Sequence, residues 1–105
     1  MGIFSSMFGG SSDNNNLATL VNEGAFLVDV RSPGEFAEGN VIGSVNIPLD
    51  QVQNQLAKFK DKKQIVVFCR SGNRSGQAKS ILEQNDFNNV TNGGTWEDVN
   101  AVINK

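Results

Sequence analysis

The chain has no histidine and only one cysteine, Cys69, among its 105 residues. Without histidine, no imidazole can serve in acid–base chemistry or metal binding. A zinc site would then need carboxylates alone, so no metal centre is expected. A single cysteine excludes an internal disulfide, and a lone free thiol suits a reducing compartment, which points to the cytoplasm. Long apolar runs are also missing, since nothing approaches the roughly 18 residues of a membrane span. Charge of one sign is scarce. Nine basic residues face eleven acidic ones, for a net charge of -2, which leaves no basic footprint for nucleic acid.

The first sixteen residues, MGIFSSMFGGSSDNNN, lack the positive and apolar regions of a secretion signal. They read as a flexible tail, residues 1–16, ahead of one domain over residues 17–105. Gly2 and Ser6 fit the N-myristoylation pattern, but that pattern is too permissive to outweigh the tail reading. Seven Phe, one Trp and many Val, Ile and Leu supply one modest core.

Leu17, Leu20 and Val21 recur at helical spacing, and Gly24 ends that helix. Phe26–Val30 reads as a buried strand. Ser32-Pro33-Gly34-Glu35 then has the spacing of a capping box with proline at the first helical position. Gly39–Asn46 is mostly loop with a brief strand near 44–46, stopped by Pro48. Asp50 is expected to cap a helix carrying Val52, Leu56 and Phe59. Lys60–Lys63 is a solvated turn. Gln64–Phe68 follows as a central strand covered on both faces, and a helix runs from the next loop to about Asn85. Asn89–Thr91 forms a last strand, Gly93-Gly94 a turn, and a helix capped near Thr95 carries Trp96, Val99, Val102 and Ile103. Strands alternating with helices predict an α/β domain with a mainly parallel sheet. Ligands of such sheets bind beyond the carboxyl ends of the strands. Cys69 stands at that end.

The loop reads Cys69-Arg70-Ser71-Gly72-Asn73-Arg74-Ser75-Gly76. A free thiol with a pKa near 8.5 is only about 3% ionised at pH 7, and lowering that pKa by two units takes about 2.7 kcal/mol. A helix dipole supplies roughly 0.3–1 kcal/mol. Amide hydrogen bonds to the sulfur, with Arg70 and Arg74 nearby, must supply the rest. Gly72 lets the backbone turn inward, and Gly76 allows close approach in the first helical turn. Ser71 and Ser75 offer hydroxyls, Ser75 also as a helix cap. Cys69 is therefore the candidate nucleophile, and Arg70, Ser71, Gly72, Asn73, Arg74 and Ser75 form the candidate substrate-binding loop.

Over roughly residues 15–104 the chain resembles the rhodanese-like sulfurtransferases. The resemblance is carried by Leu27–Arg31 with Glu35-Phe36, by GNVIGSVNIP over residues 39–48, by IVVFCRSGNRS over 65–75, and by Gly93-Gly94-Thr95-Trp96. It implies a five-stranded, largely parallel sheet flanked by helices on both faces. It also implies that Cys69 takes a sulfane sulfur from a small anionic donor such as thiosulfate, holds it as a persulfide, and passes it to a thiol or cyanide. A protein thiol is a further acceptor that the same site could serve. Arg70 would draw in the donor, and Arg74 would stabilise the loop and the departing charge. No cofactor is implied, and a monomer is expected. Asn40 stands where the family often has histidine, which bears on substrate preference.

Other readings of the same residues are weaker. A buried inert thiol is the usual fate of free cysteine, but the basic loop speaks against it. Cysteine-dependent phosphatases and arsenate reductases place five residues between Cys and Arg, whereas four separate Cys69 from Arg74. A non-catalytic rhodanese-like binding module would be expected to have lost the nucleophile. Asp29 and Arg31 are read as structural support at a strand end. Glu35 is a capping residue rather than an acid catalyst, and Trp96 belongs to the core.

Overall fold

Residues 65–69 alternate between two apolar cores, and that alternation organises the molecule. The structure, a computed structural model, describes residues 14–103. The tail and acylation readings for residues 1–13 lie outside the described residues. Four strands, β1 (Phe26–Asp29), β2 (Val45–Asn46), β3 (Ile65–Cys69) and β4 (Val90–Thr95), form one sheet in the order β2-β1-β3-β4. Every neighbouring pair is parallel. All five residues of β3 are buried. Because successive side chains point to opposite faces, Ile65, Val67 and Cys69 join one core, while Val66 and Phe68 join the other.

The helices are α1 (Asn14–Asn22), α2 (Pro33–Glu38), α3 (Leu49–Val52), α4 (Asn73–Gln84) and α5 (Trp96–Ile103), with a 3₁₀ segment at Gln53–Phe59. Val52, Phe59, Ala78 and Leu82 close the first core from α3, the 3₁₀ segment and α4. Leu17, Leu20 and Val99 close the second from α1 and α5. Burial of each large side chain in these layers contributes roughly 1.5–3 kcal/mol. The expected α/β architecture, with helices on both faces of a parallel sheet, is therefore present.

Local signals set several boundaries. Ser32 accepts the Glu35 amide at 3.2 Å and Glu35 accepts the Ser32 amide at 3.0 Å, with Pro33 in the first turn. The Asp98 amide donates to Thr95 Oγ1 at 3.1 Å, so Thr95 caps α5 as expected.

Elsewhere packing overrode the local reading. The described residues form four strands, where the family resemblance implied five. Helix α1 begins ahead of Leu17. Asp50 is not a cap: the helix starts after Pro48, which offers no side-chain bond, and Asp50 lies in its first turn, where a carboxylate favours the dipole. Gln55, at φ -125° and ψ 34°, then interrupts the ladder, and the stretch tightens into 3₁₀ turns.

Gly93-Gly94 is not a turn either. β4 continues through both glycines to pair Thr95 with Cys69, and the register slips at Val67/Phe68 so that Gly93 is the extra residue of a bulge. A methyl group on Gly93 would stand 2.9 Å from Val66 Cγ1 and 3.1 Å from Val99 Cγ2. Gly93→Ala is accordingly expected to destabilise the domain by about 1–3 kcal/mol through overpacking, seen as a lowered denaturant midpoint. An unchanged midpoint would mean that β4 shifts freely.

Candidate active site

β3 ends at Cys69 and α4 begins at Asn73, so the chain must reverse within three residues. Gly72 makes this possible at φ 91°, in the left-handed region that favours glycine. It is also the residue that caps α4, with no side-chain bond, and Ser75 is buried inside the first turn rather than acting as the cap. The reversal folds amides back over the sulfur. The Gly72 amide donates to Cys69 Sγ at 3.0 Å, the Ser75 amide does so at 3.4 Å, and Ser75 Oγ lies 3.5 Å away. Burial of Cys69 pushes its pKa up. Hydrogen bonding to Ser75, through hydroxyl and amide, and to the Ser71 and Gly72 amides overcomes that effect and leaves the thiol below its ordinary value. The sulfur is thus enclosed yet poised to ionise.

The two loop arginines part company. Arg70 is exposed and lines a cleft of about 280 Å³ together with Arg31, Glu35, Glu38, Gly39, Trp96 and Glu97. Arg74 donates to both carboxylate oxygens of Glu35, at 2.8 and 3.1 Å, and so ties α4 to α2. Its guanidinium is held charged mainly by Glu35, with a smaller contribution from the Cys69 sulfur. Ser71 and Asn73 are exposed.

Behind the cleft, Asp29 and Arg31 form a buried pair at the end of β1. Asp29 accepts the Arg31 amide at 2.9 Å and the guanidinium through Nε and Nη2 at 2.7–3.0 Å. Arg31 also donates to the Gly39 carbonyl at 2.6 Å and lies over the Trp96 ring at 4.7 Å. Trp96 therefore packs on the second core, as expected, and also supports this cation. Asn40 donates to the Phe36 carbonyl at 2.9 Å, so its side chain secures the end of α2.

The rhodanese-like domain family matches residues 13–96 of the chain. The chain belongs to that family. Thiosulfate sulfurtransferase PspE of Escherichia coli is 39% identical over 74 residues, covering 69% of this chain and 71% of PspE. A solved rhodanese with anions from E. coli is 36% identical and aligns with a TM-score of 0.65 over 70% of this chain and 89% of its own. The human single-domain sulfurtransferase TSTD1 aligns with a TM-score of 0.67 at 28% identity, over 80% and 88% of the two chains. This rhodanese-like domain is thus an enzyme of the sulfurtransferase type. Among its described residues no helix is long and apolar enough to cross a membrane.

Two features of this rhodanese-like domain were not legible in its sequence. The Glu35–Arg74 bridge spans 39 positions, and nothing local marks it beyond the capping box. Asn92, which the sequence reading gave no role, reaches Ser75, Gly72 and Gly94. Glu35 titrates accordingly. Its hydrogen bonds from Arg74 first, and from the Ser32 amide next, lower its pKa from 4.5 to about 2. A depressed carboxylate stabilises the fold above its unfolded pKa and loses that contribution as pH falls through the folded value. Wild-type stability should therefore exceed that of Glu35→Gln by a constant amount above pH 5, on the order of 0.2–1 kcal/mol for such a half-exposed pair. The gap should close between about pH 4.5 and 2. Paired denaturant titrations across that range check it.

Proposed function

We propose that the domain moves a sulfane sulfur from an anionic donor such as thiosulfate to a thiol or cyanide through a persulfide on Cys69. The observation that carries this reading is the buried thiol of the lone cysteine, faced by inward amides at the end of β3. The name of its relative PspE, a thiosulfate sulfurtransferase, supports the choice of donor.

In the first half-reaction the Cys69 thiolate attacks the outer sulfur of thiosulfate. A sulfur–sulfur bond forms at Cys69 while the donor's own bond breaks, and sulfite leaves with the electron pair. In the second, the acceptor nucleophile attacks the outer persulfide sulfur, and Cys69 departs as thiolate. No net oxidant or reductant is consumed and neither step needs an imidazole, in keeping with a chain that has no histidine. Arg70, exposed beside the loop, recruits the donor. Gly72 and Ser75 stabilise the sulfur, Ser71 adds its amide, and Asn73 opens the helix whose dipole favours negative charge. Arg74 orders the loop through Glu35. A phosphatase would need that arginine free to grip a phosphate, which disfavours the phosphatase alternative. The reading places the protein in the cytoplasm as a monomer, with a protein thiol among its acceptors.

Intact-mass measurement tests the chemistry. Thiosulfate is expected to add one sulfur to the chain, and cyanide to remove it as thiocyanate. No gain from thiosulfate or any other sulfane donor would overturn the proposal.

A further inference from the structure

The Ser75 hydroxyl lies between two partners. It donates to Asn92 Oδ1 at 2.7 Å and stands 3.5 Å from Cys69 Sγ. The contact with Asn92 is much the shorter, so Asn92 sets where the hydroxyl stands beside the sulfur. Asn92 is itself fixed in orientation. Its Oδ1 also accepts the Gly94 amide at 2.9 Å, and its Nδ2 donates to the Gly72 carbonyl at 3.2 Å. Asn92 thus grips Ser75 and Gly72, the two residues whose amides reach the sulfur. It does so from β4, the strand that runs beside β3, and without touching the sulfur itself.

We infer that Asn92 is a positioning residue for the sulfur cradle, holding the Gly72 and Ser75 amides at the distances at which they stabilise a negative Sγ. This role rests on the reading of Cys69 as the reacting sulfur. Both ends of the Asn92 amide are needed: the oxygen anchors the first turn of α4, and the nitrogen anchors the residue that reverses the chain. Charged groups on the elements about the loop are Arg70 in it, Arg74 on α4 with Glu35 and Glu38 on α2, the Asp29–Arg31 pair at the end of β1, and Glu97 and Asp98 on α5. Asn92→Ala alters none of these charges, so a changed titration in that variant reports on the geometry of the donors.

The test is the pH dependence of Cys69 alkylation by iodoacetamide, read by intact mass on the full chain. Asn92→Ala should move the curve about one pH unit upward, cutting alkylation about tenfold at pH values below the wild-type pKa. Asn92→Asp keeps the shape and Oδ1 but turns an oxygen toward the Gly72 carbonyl and adds a negative charge near the sulfur, and the two effects together should move the curve further in the same direction. Asn92→Ala combined with Ser75→Ala should shift less than the sum of the two single changes, because Asn92 acts partly through Ser75. A wild-type-like curve for Asn92→Ala would overturn the inference, leaving Asn92 a structural role only. A downward shift would also overturn it, showing that Asn92 withholds the Ser75 hydroxyl from the sulfur. If wild-type Cys69 itself titrates like free cysteine, the sulfurtransferase reading fails first, so the two failures are distinguishable.

Discussion

Cys69→Ser is expected to abolish sulfur uptake completely while leaving the fold in place. The chain has no second cysteine to take over, and a serine hydroxyl is not ionised near neutral pH. The structural consequence is small because the groups that face Sγ also suit an oxygen. The Gly72 and Ser75 amides remain as donors to the new hydroxyl, so the buried polar atom is not left unsatisfied. A destabilisation of about 1–2 kcal/mol covers the change in length and polarity, against a total of roughly 5–15 kcal/mol for a domain of this kind. Intact mass after thiosulfate should show no added sulfur, and a melting curve should remain cooperative. Sulfur transfer by this variant at the wild-type rate would remove Cys69 from the mechanism.

The largest effect on stability is expected at the other end of the site, from Asp29→Ala. Asp29 is fully buried and Arg31 is 4% exposed, and their contact includes four hydrogen bonds. Removing one partner leaves an uncompensated buried charge, which typically destabilises by about 3–5 kcal/mol. In a domain of this length that lowers the melting point by roughly 12 °C or more. The change spreads because Arg31 also holds the Gly39 carbonyl and lies over Trp96. The cleft beside Arg70 should therefore loosen with it. Replacing both partners, Asp29→Leu with Arg31→Met, should recover only part of the loss, since the Arg31 amide also depends on the Asp29 carboxylate. Thermal melts of the three proteins decide the matter. An Asp29→Ala domain that melts with the parent would show the pair to be dispensable.

What could be read in the sequence was what neighbouring residues decide together. Ser32 and Glu35 form a capping box because both partners lie within one turn, and Gln64–Phe68 reads as a central strand because Ile65 to Phe68 are all apolar, one residue short of the strand's true span Ile65–Cys69. The Cys69 loop was legible for the same reason, since its glycine and amides are within six residues of the sulfur. The errors have the opposite origin. Gly93-Gly94 looks like a turn until β3 lies beside it, where Val66 and Val99 leave no room for a side chain. Ser75 looks like a cap, but the left-handed Gly72 starts the helix earlier and turns Ser75 inward. Arg74 was expected to steady the loop, but its partner for that, a carboxylate on a distant helix, carries no local mark. Asn92 was not singled out, because the partners that matter, Ser75 and Gly72, come from a different strand-to-helix connection.

Among the described residues, the two border strands of the sheet differ in length but share one property. β2 offers only Val45 and Asn46, and the Asn46 side chain is turned back onto the Asp29 and Arg31 carbonyls. β4 is longer, but it is bent by its bulge and interrupted by paired glycines. Neither presents the flat, continuous row of free amides and carbonyls on which a foreign strand could template. The domain can thus keep an apolar, parallel sheet without inviting its own copies to polymerise along it.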